Sequence, residues 1–150
     1  LCDYGDCAET RFFTAGREIS SFEFREWRFG VMVCADIRYP TLSRRLARDH
    51  GVDAFLQPAC FARDLSFRTW RSFQEARAVE NGSYFLATNY AGPDYGESAV
   101  VEPWVDERHE PVALGNEIGY LIADLRRGVL QRARTEFPFH KALFASSDSR

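Results

Sequence analysis

Between residues 28 and 89, three short apolar runs alternate with two helical patterns, and that order restricts the fold more than any other feature of the chain. The runs cover residues 28–34, 53–58 and 83–89. A short continuous apolar run is how a strand buried on both faces reads in sequence. Residues 40–50 lie between the first two runs. Leu42, Leu46 and Ala47 line one helical face there, with Pro40 near the first turn and Gly51 just past the end. Residues 68–82 lie between the second and third, with Trp70, Phe73 and Ala76 along one side. The order β-α-β-α-β predicts parallel strands covered by helices. Upstream, residues 1–20 read as loop, anchored by Phe12 and Phe13. Residues 21–27 alternate Phe22, Phe24 and Trp27 with charged neighbours, as one half-exposed strand does. After Gly92 the pattern changes to hairpin-like strands at residues 97–102, 110–114 and 118–124. A helical turn at 125–134 follows, and then a polar tail at 146–150. The expected architecture is α/β with a mixed sheet.

Composition narrows the function classes. The chain has 150 residues, of which 45% are hydrophobic and 15% aromatic, enough for one packed domain. Net charge is only −3, so no global field points to nucleic acid or to a membrane surface. Eighteen arginines stand against a single lysine, Lys141, but they alternate with acids such as Glu18, Glu23, Glu26 and Asp49, as on a solvated face. No apolar stretch approaches the length of a membrane-spanning helix. Cys2 and Cys7 are poorly spaced for zinc, and His50, His109 and His140 are scattered, so neither a metal nor a cofactor is expected. The even cysteine count permits disulfides, but Cys34 and Cys60 each follow a strand-like run, as buried or catalytic thiols do, and a cytoplasmic protein with reduced thiols is expected.

Cys34 ends the first apolar run, and Pro40 opens a helix six residues later. A thiol at the carboxyl end of a buried strand can be held rigidly and act as a nucleophile. It can also be a small packed hydrophobe, because free cysteine is among the most buried residue types. The backbone N–H of Ala35 is a candidate oxyanion donor. Asp36 and Arg38 read as an ion pair or as groups that fix the bend. No histidine falls in a strand-end loop near Cys34, so its base, if it has one, is expected to be a carboxylate, for which Glu9 is a candidate. Cys60 ends the second run, so the two strand ends could share one crevice. Ala59, Cys60 and Phe61 are the expected pocket lining, since strand-end loops form such walls. A redox pair of Cys34 and Cys60 is a rival use of the same residues. Arg77 and Glu80 stand one helical turn apart, as an ion pair does.

Together these residues resemble the carbon–nitrogen hydrolase family, or nitrilase superfamily. Its nucleophile motif is similar to Gly30-Val-Met-Val-Cys34-Ala-Asp36-Ile-Arg38-Tyr39-Pro40. A later motif resembles Trp70, then Arg77-Ala78-Val79-Glu80-Asn81, then Tyr84. Asn89, Gly92, Gly96-Glu97-Ser98, Glu102-Pro103 and Asp124 match the strands and turns that come next. Glu9, Phe13 and Gly16 match an upstream pattern, and the family's usual Glu after the proline is here Thr41.

The resemblance implies a four-layer α-β-β-α sandwich, of which this chain would be the C-terminal part, residues 1–150. It implies a thiol hydrolase of amides or related carbon–nitrogen bonds, most simply a small amidase, working through a Glu-Lys-Cys triad. Cys34 would be the nucleophile, Ala35 the oxyanion donor, and Glu9 the additional glutamate that orients substrate and lysine. The family's lysine would fall just before Leu1 and its general-base glutamate further upstream, so the chain alone is expected to be inactive. A small-molecule amide substrate and a homo-oligomer are implied. The alternative is a non-catalytic scaffold or regulatory subunit of the same family.

Overall fold

The computed structural model describes residues 8–139. The polar tail at 146–150, Lys141, Cys2 and Cys7 lie outside the described residues. The elements in order are β1 (Ser21–Phe24), β2 (Trp27–Val31), a 3-10 turn (Cys34–Arg38), α1 (Pro40–Asp49), β3 (Ala54–Pro58), α2 (Thr69–Asn81), β4 (Tyr84–Thr88), β5 (Ala99–Val101), β6 (Val112–Ala113) and α3 (Arg127–Glu136). A further 3-10 turn, Glu9–Arg11, precedes β1.

The six strands form one mixed sheet in chain order. β2, β3 and β4 are parallel neighbours, with Gly30 opposite Phe55 and Phe55 opposite Phe85. The pairs β1–β2, β4–β5 and β5–β6 are antiparallel. The expected β-α-β-α-β unit is therefore present. Side chains alternate across the sheet. Phe55 and Phe85 join Met32, Leu46, Trp70 and Ala78 in the main core, under α1 and α2. Ala54 and Tyr84 point to the other face and pack with Leu130 of α3.

Gly30 lets α1 approach the sheet closely. A Cβ there would lie 2.9 Å from Leu46 Cδ2 and 3.1 Å from Val52 Cγ1. α2 ends as its sequence suggests, on Gly82 in the left-handed region (φ 55°), whose N–H reaches the carbonyls of Ala78 and Val79.

Two expectations are corrected. The run 21–27 is not one strand. It folds back at Arg25 and Glu26, with φ of 48° and 65°, so that Phe24 pairs with Trp27. Positive φ at both central residues is the geometry of a type I′ turn, which matches strand twist but usually recruits Asn and Gly. The alternation continues through this turn, so the pattern does not mark it. Residues 118–124 do not form a strand either. Ile118, Tyr120 and Ile122 alternate as a strand would, yet they are 93%, 97% and 90% exposed, and the segment pairs with no strand among the described residues. A strand needs a hydrogen-bonded neighbour as well as a periodic face.

Candidate active site

The site grows out of the end of β2. Met32 extends the ladder by donating its N–H to Leu56 O at 3.0 Å, and the chain then leaves the sheet at Val33. Cys34 follows with φ 44°, a left-handed conformation that costs a non-glycine residue free energy and persists only where the surroundings impose it. Several polar contacts impose it here. Val33 N–H donates to the Asp36 carboxylate at 2.8 Å, and Asp36 N–H returns to Val33 O at 2.9 Å. Asp36 thus fixes the bend, one of the two roles expected of it. Arg77, buried in α2, donates its Nε to Ile37 O at 3.0 Å and its Nη1 to Glu80 at 3.0 Å. The expected Arg77–Glu80 pair forms, and the same guanidinium holds the turn. Gln57, on β3, donates Nε2 to the Cys34 carbonyl at 2.8 Å.

The Cys34 thiol is half-buried and free. Burial raises its pKa above the ordinary thiol value. Hydrogen bonds from the backbone N–H groups of Cys60 and Ala35 pull in the opposite direction, and the charges of Cys60 and Glu9 push further up. Cys60 is exposed and free, and its proximity raises the Tyr95 phenol above its ordinary value. The structure therefore gathers Cys34, Ala35, Glu9 and Cys60 into one neighbourhood. The backbone N–H groups of Cys60 and Ala35 both favour the thiolate, where sequence reasoning named only that of Ala35.

The loop after β3 is stitched from several sides. Asn89 accepts the Phe61 N–H at 2.8 Å and donates to Phe61 O and Gly96 O, each at 2.9 Å. Ser98 Oγ accepts the Asn89 N–H at 2.9 Å, and Trp70 Nε1 donates to Glu97 O at 3.0 Å. Arg63 bonds Tyr95 O, Glu97 and Asn116. The residues that carried the resemblance here are the ones that tie the β3 and β4 loops together. Of the three expected pocket residues, Cys60 opens to solvent and Ala59 is half-buried against the main core. Phe61 is a core ring, 3% exposed, tilted against Trp70 with ring centres 4.8 Å apart and the Arg38 guanidinium 4.9 Å from its own centre. Arg38 also donates to Ser66 Oγ at 2.9 Å. Sequence reasoning missed Gln57. A glutamine in an otherwise apolar run was the available signal.

Comparison with known proteins bears on the family and the fold. The sequence model of the carbon–nitrogen hydrolase family matches residues 4–135. A deaminated glutathione amidase of Dictyostelium discoideum is 27% identical over 123 residues, covering 78% of this chain and 42% of that protein. Nit3 of Saccharomyces cerevisiae, a nitrilase-superfamily member, superposes with a TM-score of 0.78 at 26% identity, covering 92% of this chain and 51% of that one. An amidase mutant from Nesterenkonia sp. AN1, whose active-site cysteine has added acrylamide, superposes at 0.69 with 29% identity, covering 89% and 52%. The chain spans about half the length of these relatives. From residue 4 to residue 135, with its strand-end cysteine and its mixed sheet, the chain belongs to the carbon–nitrogen hydrolase family.

Proposed function

We propose that this chain carries the nucleophile of an amidase acting on small non-peptide amides, with Cys34 forming a thioester. The observation that carries the reading is the strained Cys34 at the end of β2, its carbonyl held by Gln57 and its bend fixed by Asp36, with the backbone N–H groups of Cys60 and Ala35 favouring its thiolate. In the forward reaction the Cys34 sulfur attacks the amide carbon. The carbonyl oxygen takes up negative charge, for which Ala35 N–H is the expected donor. The carbon–nitrogen bond then breaks, and the nitrogen accepts a proton and departs as ammonia or an amine. Water attacks the thioester, the carbon–sulfur bond breaks, and the acid leaves with the thiol restored. Glu9, whose charge reaches Cys34, orients the substrate. The resemblance assigns the base and the cation beside such a thiol to a glutamate and a lysine, which complete the reading.

Amidase relatives support the choice of substrate class, and the cysteine adduct in the Nesterenkonia amidase supports a nucleophilic thiol. The protein is further proposed to work in the cytoplasm as a homo-oligomer. No helix among the described residues is long and apolar enough to cross a membrane. The test is ammonia release from a panel of small amides by the full-length protein and by its Cys34→Ala variant. Release that disappears in the variant is the expected result. No release from any amide, or release that survives Cys34→Ala, overturns the reading.

A further inference from the structure

Gln57 lies on β3 with its side chain on the same sheet face as Phe55, the face that α1 and α2 cover. It is 1% exposed. A buried amide is unfavourable unless its polar atoms are bonded. Among the described residues, Oε1 has no partner, and Nε2 has the Cys34 carbonyl at 2.8 Å. A leucine or methionine would fill this apolar face without that cost, so the hydrogen bond to Cys34 is the feature that distinguishes glutamine here.

The bond acts on the site through the geometry of the peptide unit. The Cys34 carbonyl and the Ala35 N–H belong to one planar group and point in opposite directions. Holding the carbonyl therefore aims the N–H. The Ala35 N–H is one of the two backbone groups that favour the Cys34 thiolate. Cys34 needs such restraint, because its φ of 44° lies in a region that a cysteine leaves when it is free to. We propose that Gln57 is a positioning residue: by holding the Cys34 carbonyl it fixes the Cys34–Ala35 peptide plane and directs the Ala35 N–H at the thiol and at the oxygen of a bound amide. Its catalytic consequence rests on the thiol-hydrolase reading, whereas its effect on the thiol does not.

The experiment compares wild type with Gln57→Met, which keeps the volume and removes the donor, and with Gln57→Asn, which keeps the amide but is one methylene too short. The first readout is the pH dependence of Cys34 alkylation by iodoacetamide, with melting temperature measured in parallel. Both variants are expected to alkylate about tenfold more slowly near neutral pH, with the alkylation midpoint moved to higher pH, the size of effect one hydrogen bond to a thiolate-stabilising unit allows. Val101→Ala, a core change in β5, is expected to lower the melting temperature and leave the midpoint at the wild-type value. The second readout is amide hydrolysis by the full-length protein, where kcat falls about tenfold and KM moves less than about twofold, because the interaction matters most in the transition state. Folded variants with a wild-type midpoint overturn the proposal. Failure of both variants to fold also overturns it, in favour of a purely structural glutamine. If wild type hydrolyses no amide but the midpoint still moves, the amidase reading fails and the positioning role of Gln57 stands.

Discussion

At the scale of the residue, Cys34 combines strain with partial burial. A left-handed conformation costs a non-glycine residue roughly 1–3 kcal/mol, a penalty that glycine escapes. Cys34→Gly is therefore expected to raise stability by about 1 kcal/mol in denaturant melts while abolishing amide hydrolysis. A variant less stable than wild type would show that the turn is not strained at this residue. The sign of the pH effect follows from burial. The folded thiol holds its proton above the ordinary thiol range. The unfolded chain ionises first as pH rises, so this thiol's contribution to stability is present below the ordinary thiol pKa and is lost between that value and the folded one. Stability of wild type relative to Cys34→Ala should thus fall as pH rises through this window, and a difference that grows with pH would contradict it. The position of Cys34 at a strand end was legible in the sequence. Its φ was not, because nothing in Val33-Cys34-Ala35 calls for a left-handed residue. The restraint comes from Gln57, Asp36 and Arg77, which lie elsewhere along the chain or on the far side of the bend.

At the scale of the element, two positions set how pieces meet. Gly30→Ala would drive a Cβ into Leu46 and Val52, and is expected to cost about 1–3 kcal/mol by overpacking the α1–β2 contact. An unchanged melting temperature would mean that Leu46 simply rotates away. The β1–β2 turn is a case of local chemistry overruled by pairing. Arg25 and Glu26 both take positive φ, where asparagine and glycine are the natural occupants. The double substitution Arg25→Asn with Glu26→Gly is expected to stabilise the hairpin by about 1 kcal/mol, read as a higher melting temperature. The parallel unit was readable because buried runs, helical stripes and Gly or Pro stops agree with one another at residues 28–89. The hairpin was not, since Phe22, Phe24 and Trp27 keep a strand-like spacing through the bend. Residues 118–124 failed in the opposite sense: the period is there, and the neighbouring strand is not.

At the scale of the whole molecule, one sheet carries the nucleophile turn and its loops on its helix-covered side and α3 on the other. Asp53 links that second layer to the sheet. Its carboxylate accepts Arg28 N–H at 3.1 Å, Arg127 at 2.8 Å and Arg134 at 3.2 Å. Arg127 is the more solvated of the two arginines and contributes less, whereas Arg134 is more sheltered and the carboxylate itself is buried. Asp53→Ala is expected to cost about 2–3 kcal/mol and to loosen α3, seen as faster amide exchange at residues 127–136 before the rest of the sheet. Uniform exchange would mean that Leu130 packing and the Arg134 bonds to the Val52 and Gly82 carbonyls hold the helix without Asp53. The family could be recognised from scattered short motifs because each sits where chain segments cross: Asn89 and Ser98 between loops, Trp70 on the Glu97 carbonyl, and Arg77 on the nucleophile turn. The most direct test of the central claim is mass spectrometry of the full-length protein quenched during turnover of a small amide. An acyl mass added to the peptide containing Cys34, absent in Cys34→Ala, is the expected result. Steady amide turnover with no adduct at Cys34, and with activity retained in Cys34→Ala, would contradict it.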